Sequence, residues 1–241
     1  MQKSERRNGR NEGVMRHLRP ADYTVSDWSG GRTVQLSIGP EGERYADRKF
    51  LWRISSATVE LETSEFTSLP DYERLIAPIR GEMILSHNGG EEILLRPFDV
   101  HRFDGADLTV SKGKCTDFNL MLRKGKVTGE MRPIRLESGE QLRITPEMPG
   151  ETVLLYLAEG SARVRAAGGA VNGELPEHSG LPELGGFPEL TLAAGESVVL
   201  GPEDYVSGEV IPENSQDVGL ELLAPDDKGC VFMMASVRFV R

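Results

Sequence analysis

Apolar and polar residues alternate one by one through several short stretches of this chain, and the polar members are not the lysines and glutamates of a solvated sheet. In TVQLSI, Thr33 and Gln35 alternate with Val34, Leu36 and Ile38. In FLWRISSATVEL, Arg53 and Ser55 are set against Trp52 and Ile54, and in DFNLML, Asp117 and Asn119 are set against Phe118, Leu120 and Leu122. A period of two sends successive side chains to opposite sides of a strand. Each stretch therefore has one apolar face and one face carrying groups suited to recognition, which line a polar cavity if that face is covered.

Turn chemistry separates these strands at Ser29-Gly30-Gly31, Gly39-Pro40, Leu69-Pro70-Asp71, Asn88-Gly89-Gly90, Asp104-Gly105 and Lys112-Gly113. No segment sustains a helical period, so the pattern is that of an all-β sandwich or barrel. One short helical turn is expected near Asp71 to Leu75, where Pro70 and acidic residues suit a helix start. Residues 1–15 are polar, charged and rich in Asn and Gly, and are expected to form a disordered tail. A first β-rich unit is expected over 16–127 and a second over 128–241, the latter with a Gly/Pro-rich insertion near 166–190. A weak internal echo links them: IRGEMILS followed by EILLRPFDVHRFDG is matched in pattern by LAEGSARVRA followed by LTLAAGESVVL.

Length allows either one large all-β unit or two small domains. With 38 acidic and 28 basic side chains, the net charge of −10 repels phosphate backbones and argues against nucleic acid as a partner. Cys115 and Cys230 stand far apart with no cysteine near either, which suggests neither a disulfide framework nor a zinc site. No apolar run approaches the roughly 20 residues that span a bilayer, and no export signal opens the chain. A soluble, cytoplasmic protein without a membrane partner is expected. Association into a homodimer through sheet edges stays open.

The four histidines, His17, His87, His101 and His178, form no H-x-H pair, and only His87 and His101 fall where a barrel would bring them together. That is too few for a tight metal centre, so no metal or other cofactor is expected. No G-x-S-x-G elbow positions a serine, no histidine neighbours Cys115, and neither a phosphate-binding loop nor a dinucleotide fingerprint is present. The Gly30-Gly31 pair reads first as an ordinary turn and second as a close approach to a ligand. Arg53 lies within a strand, and if buried it needs an anion, either Asp117 or a ligand carboxylate. Asp117 accepts only, whereas Asn119 donates and accepts, so with Thr33, Gln35 and Ser55 they suit a small polar acid carrying amide or imidazole groups.

Five segments, W-S-G-G-R-T-V-Q (Trp28 to Gln35), F-L-W-R-I-S-S-A-T-V (Phe50 to Val59), F-T-S-L-P-D-Y-E-R (Phe66 to Arg74), P-F (Pro97, Phe98) and D-F-N-L-M (Asp117 to Met121), together resemble the ordered motif set of the HutD/Ves family over about residues 16 to 122. The resemblance implies a bicupin, two cupin-like β-barrels of the jelly-roll type in one chain, usually without the metal ligands of other cupins. It implies a non-enzymatic sensor or brake in histidine utilisation that binds a small anionic metabolite such as urocanate or N-formylglutamate; a related branch is described as stress-induced. It carries over Thr33, Gln35, Arg53, Ser55, Arg74, Asp117 and Asn119 as pocket residues. The sequence departs from the family's F-P-G-x-D-R at Leu69-Pro70-Asp71-Tyr72-Glu73-Arg74, where Asp71 replaces a glycine and tolerates a left-handed backbone better than most side chains. The competing function is a cupin enzyme, either metal-dependent or a metal-free lyase or isomerase with Asp117 as base.

Overall fold

The computed structural model describes residues 14–28, 30–148, 150–168, 189–201, 218–225 and 228–240. Nineteen strands are found among them, in four antiparallel sheets, none of which closes on itself. In sheet order, the first sheet holds β2 (Thr24–Trp28), β3 (Gly31–Gly39), β4 (Trp52–Val59), β11 (Cys115–Arg123), β6 (Tyr72–Arg80) and β9 (His101–Asp104). The second holds β5 (Thr63–Glu65), β10 (Thr109–Lys112), β7 (Met83–His87) and β8 (Ile93–Leu95). The third holds β1 (Val14–Leu18), β17 (Ser197–Gly201), β14 (Thr152–Glu159), β19 (Cys230–Phe239) and β12 (Val127–Leu136). The fourth holds β13 (Gln141–Ile144), β18 (Val218–Leu223), β15 (Ser161–Gly168) and β16 (Leu190–Ala193).

Adding eight to a strand number converts one half of this topology into the other. The run β4-β11-β6-β9 in the first sheet becomes β12-β19-β14-β17 in the third, and β5-β10-β7-β8 becomes β13-β18-β15-β16. Pairing register follows. Thr116↔Arg80 and then Asp117↔Pro78, with one residue skipped, matches Val231↔Glu159 and then Phe232↔Leu157. Gly81 and Gly160 hold the same corner with φ of +74° and +83°. A Cβ on either would lie 2.7 Å from a carbonyl oxygen, that of Lys114 or of Gly229, beside Cys115 or Cys230. The two cysteines are thus equivalent buried residues of an eight-strand repeat, and both are free thiols.

Alternation then decides what packs where. Phe118, Leu120 and Leu122 of β11, with Trp52 and Ile54 of β4, meet Leu154, Val199, Met233 and Ala235 in a core between the first and third sheets. A second core lies between the third and fourth sheets and is built from Val153, Leu155, Val164, Leu222, Phe232 and their neighbours. A smaller one joins Ile76 and Phe103 of the first sheet to Met83, Leu85 and Leu95 of the second. Each fully buried Leu or Phe contributes about 1.5–3 kcal/mol.

Three expectations are corrected. Val14 and Met15, expected in the tail, open β1, because Met15 is buried in the third–fourth core. Arg16 to Leu18, expected in the first unit, complete a strand paired with β17 in the third sheet. The expected helical turn at Asp71 to Leu75 is instead the start of β6: Tyr72 is buried, and its hydroxyl donates to the carbonyls of Arg48 (3.0 Å) and Phe50 (2.9 Å), which holds the backbone extended. Asp71 is not among the residues with positive φ. The expected tail up to residue 13 and most of the Gly/Pro-rich insertion, 169–188, lie outside the described residues.

The glycine pair after Trp28 has a packing reason. A Cβ on Gly30 would run into the Trp28 ring, and one on Gly31 into the carbonyl oxygen of Thr58. Gly31→Ala must therefore lift the β2–β3 hairpin from β4 and disturb the Glu60 N–H bond to the Gly30 carbonyl (2.8 Å). A loss of about 1–3 kcal/mol is expected, seen as a lower urea midpoint. An unchanged midpoint would show that the hairpin shifts freely.

Candidate functional site

The polar face of the first sheet forms three cross-strand rows. One runs Ile38, Arg53, Met121, Arg74, Phe103; the next Gln35, Ser55, Asn119, Ile76, His101; the third Thr33, Ala57, Asp117, Pro78. This face is turned away from the core shared with the third sheet and toward the second sheet, as Ile76, Phe103 and Cys115 show by packing there. Six of the seven residues expected in a site gather in its middle. Arg53, Ser55, Arg74, Asp117 and Asn119 are each at most 6% exposed. Gln35 is half-buried at their side, and Thr33 sits at the margin, two strands from Asp117.

Burial of two guanidiniums without a carboxylate against them is the unusual feature. The ion pair between Arg53 and Asp117 is not formed, and neither Arg53 nor Arg74 has a salt-bridge partner among the described residues. Arg53 instead donates through Nε to Gln35 Oε1 (2.8 Å) and through Nη1 to Ser55 Oγ (3.2 Å). Arg74 Nε, Asp117 Oδ1 and Asn119 Oδ1 are buried with no hydrogen-bond partner. A buried polar atom left unpaired costs about 1–3 kcal/mol. One orphan donor and two orphan acceptors on neighbouring strands are complementary to a guest that accepts at one end and donates at the other.

Electrostatics report the same strain. Burial lowers the Arg53 guanidinium and brings Arg74 down to about 10. Burial raises Asp117 to about 7, opposed by Arg74, by the Ala57 backbone hydrogen bond and by Arg53. Asp117 therefore changes charge near neutrality, and the site offers two cations and one readily protonated acid.

Aromatic rings that the alternation did not single out complete the enclosure. The Tyr45 ring meets two guanidiniums, with Arg48 3.7 Å and Arg53 4.4 Å from its centre. Arg74 lies over Phe66 (4.8 Å) and Phe103 (5.1 Å), contacts worth about 1–2 kcal/mol when desolvated. Phe66 heads the segment that ends in Arg74, and Phe103 follows His101 in HRFDG; Tyr45 lies in a connection with no period to read.

A metal does not fit this site. Among the described residues no three His, Cys, Asp or Glu side chains converge. His87 and His101 do meet, but their Nε2 atoms face each other at 2.9 Å, so an ion midway would lie under 1.5 Å (half of 2.9 Å) from each, far inside the roughly 2.0–2.1 Å of a metal–imidazole bond.

The second repeat carries different side chains at the same positions. By the shared register, Arg74, Asp117 and Asn119 correspond to Val153, Phe232 and Met234. Val153 and Phe232 are fully buried in an apolar core. The equivalents of Arg53 and Ser55, Glu130 and Arg132, are exposed.

The HutD family model matches residues 20–199, three quarters of the chain. The chain belongs to the HutD family. Among solved structures, the conserved protein of unknown function PA5104 from Pseudomonas aeruginosa PAO1 is similar with a TM-score of 0.68 and 21% identity, covering 93% of this chain and 98% of that one. HutD from Pseudomonas fluorescens SBW25, in its formate condition, gives 0.60 and 18%, covering 95% and 100%. A cupin 2 conserved barrel domain protein from Leptotrichia buccalis gives 0.51 and 10%, covering 88% and 91%. At these identities the likeness is one of fold, an all-β cupin-like architecture. No curated protein matches the chain. No helix among the described residues is long and apolar enough to cross a membrane.

Proposed function

We propose that this HutD-family chain is a non-enzymatic, cytoplasmic bicupin in which each eight-strand repeat acts as a cupin-type barrel and only the first binds a ligand. The ligand is a small organic acid, with urocanate and N-formylglutamate the candidates that the family resemblance supplies, and its binding senses or limits histidine utilisation. Arg53 and Arg74 take the anionic group, Asp117 and Asn119 take N–H donors on the far side, and Gln35, Ser55 and Thr33 fix orientation. One observation carries this reading: three buried, unsatisfied polar groups sit where the duplicated half of the same fold holds Val153, Phe232 and Met234. Folding alone does not ask for them.

Calorimetry and thermal shift with formate, urocanate and N-formylglutamate, with neutral acetamide as control, test it. An acid at about 100 times its Kd should add about 2.7 kcal/mol, or roughly 5–10 °C in Tm, with one molecule bound per chain and the acid recovered unchanged. If no acid raises Tm above the acetamide control, the binding function is lost.

Asp117 supports a second reading. A carboxyl near pKa 7, enclosed beside two guanidiniums, is matched to proton abstraction at neutral pH, as a metal-free lyase or isomerase needs. Conversion of a bound acid in the same calorimetry samples would decide for it.

A further inference from the structure

His87 ends β7 in the second sheet and His101 begins β9 at the edge of the first, so their contact spans the gap between two sheets. The ring planes lie within 18° of each other with centroids 5.1 Å apart, and the two Nε2 atoms meet head-on at 2.9 Å. Their protons can be assigned from the chain of partners. Thr109 Oγ1 donates to the Asp107 carbonyl (3.3 Å), so toward His87 Nδ1 (2.9 Å) it accepts. His87 then carries its proton on Nδ1 and presents a lone pair at Nε2, to which His101 donates its Nε2–H.

Nothing in the fold requires this pair. The positions equivalent to His87 and His101 are Ala166 and Val198, on the inner faces of β15 and β17. Among the described residues no carboxylate forms an ion pair with either ring, and the only charge effect on His101 is that of His87. Asp107 accepts from Asn88 Nδ2 (2.8 Å), and Asp99 accepts from the Arg96 N–H (2.9 Å). Arg102 is taken by Glu73 and the Gly129 carbonyl, and the remaining charged neighbour, Arg74, is a cation that shares the Phe103 ring with both imidazoles.

We propose that His87 and His101 form a proton-operated latch that fastens the second sheet to the edge of the first and lets go in acid. With the pair neutral, one N–H···N bond closes the gap. A first proton from solvent can be taken up at His101 Nδ1, which leaves the Nε2–H···Nε2 bond in place. A second does not, because both facing nitrogens then carry hydrogen and both rings carry charge, so the bond is lost and the rings repel. Burial and the neighbouring His87 both lower the His101 pKa, which places release below the ordinary histidine range. The linkage sign follows: a base whose folded pKa is lowered contributes its full stabilisation above about pH 6.5 and loses it as pH falls. The latch is independent of what the neighbouring site binds.

The second repeat supplies the test variant, His87→Ala with His101→Val. Amide exchange at residues 101–104, corrected for intrinsic rates, should rise at least tenfold in the wild type between pH 7.5 and 5 and stay flat in the double variant, and the wild-type Tm should fall relative to that of the variant over the same range, Asp117 titrating in both proteins and cancelling in the difference. His17, held by Glu196 Oε2 at 3.0 Å, is common to both proteins and cancels. Identical pH profiles in the two proteins would overturn the latch. Should the variant not fold, imidazole nitrogen NMR on the wild type decides alone: Nδ1–H on His87 with Nε2–H on His101, titrating in two coupled steps, is expected. Two histidines titrating independently near 6.5 would refute the proposal.

Discussion

Replacing Arg74 with methionine is expected to raise the melting temperature of the free protein while removing its affinity for acids. Arg74 is 6% exposed, its Nε has no hydrogen-bond partner, and among the described residues no carboxylate forms an ion pair with it, although Asp117 is near enough to act on it electrostatically. Methionine keeps the contact with the Phe66 and Phe103 rings, since a thioether packs well against aromatic edges. It also removes the main electrostatic influence holding Asp117 down, so that carboxyl rises above about 7 and becomes neutral in the folded state. Relief of about 1–3 kcal/mol is expected in the free protein. Truncating the charged partner of a buried anion costs about 2–5 kcal/mol, or at least about 30-fold in Kd. Urea midpoints and calorimetry with urocanate and N-formylglutamate give both numbers. A variant that melts lower yet binds as the wild type does would make Arg74 a packing residue only.

The opposite exchange should be ruinous. Phe232→Asp puts into the second repeat the residue that the first repeat carries at the same register position. Asp117 is tolerated because Arg74, the Ala57 backbone and Arg53 all favour its charge. Phe232 is surrounded by Val153, Leu155, Leu222 and their apolar neighbours, none of which can donate a hydrogen bond from its side chain. The variant loses a buried aromatic ring, costing about 3–5 kcal/mol, and adds an unpaired acid besides. This exceeds what most domains can spare. Circular dichroism at 25 °C should show loss of the cooperative transition, and a folded Phe232→Asp protein would mean that the second core is open to water.

What the sequence revealed and what it hid divide along physical lines. Arg53, Ser55, Asp117 and Asn119 were legible because each alternates with apolar neighbours on its own strand, so that period alone assigns the face. Arg74 came only with the family resemblance: YERLIAPIR is apolar on both faces through most of its length and shows no alternation around that residue. Tyr45 lies outside any strand, and its place above Arg53 depends on how a connection folds back. The start of β6 was misread because Pro70 and acidic residues favour a helix start locally, whereas the Tyr72 hydroxyl draws its hydrogen bonds from carbonyls more than twenty residues away. Equivalence of the repeats was faint because apolar core positions of one half are buried polar positions of the other, and it survives in the corner glycines, Gly81 and Gly160, where backbone geometry leaves no choice.

Strand β1 is tied to a strand of the second repeat. Met15 sits opposite Leu200, a separation of 185 residues (200 − 15), and inserts its side chain into the third–fourth core. During synthesis, at about 5–20 residues per second, this leading segment waits roughly ten seconds or more with an apolar residue uncovered before its partner leaves the ribosome. Pairing of β1 with β17, and with it the covering of Met15, can therefore be completed only after nearly the whole of the intervening sequence has been made.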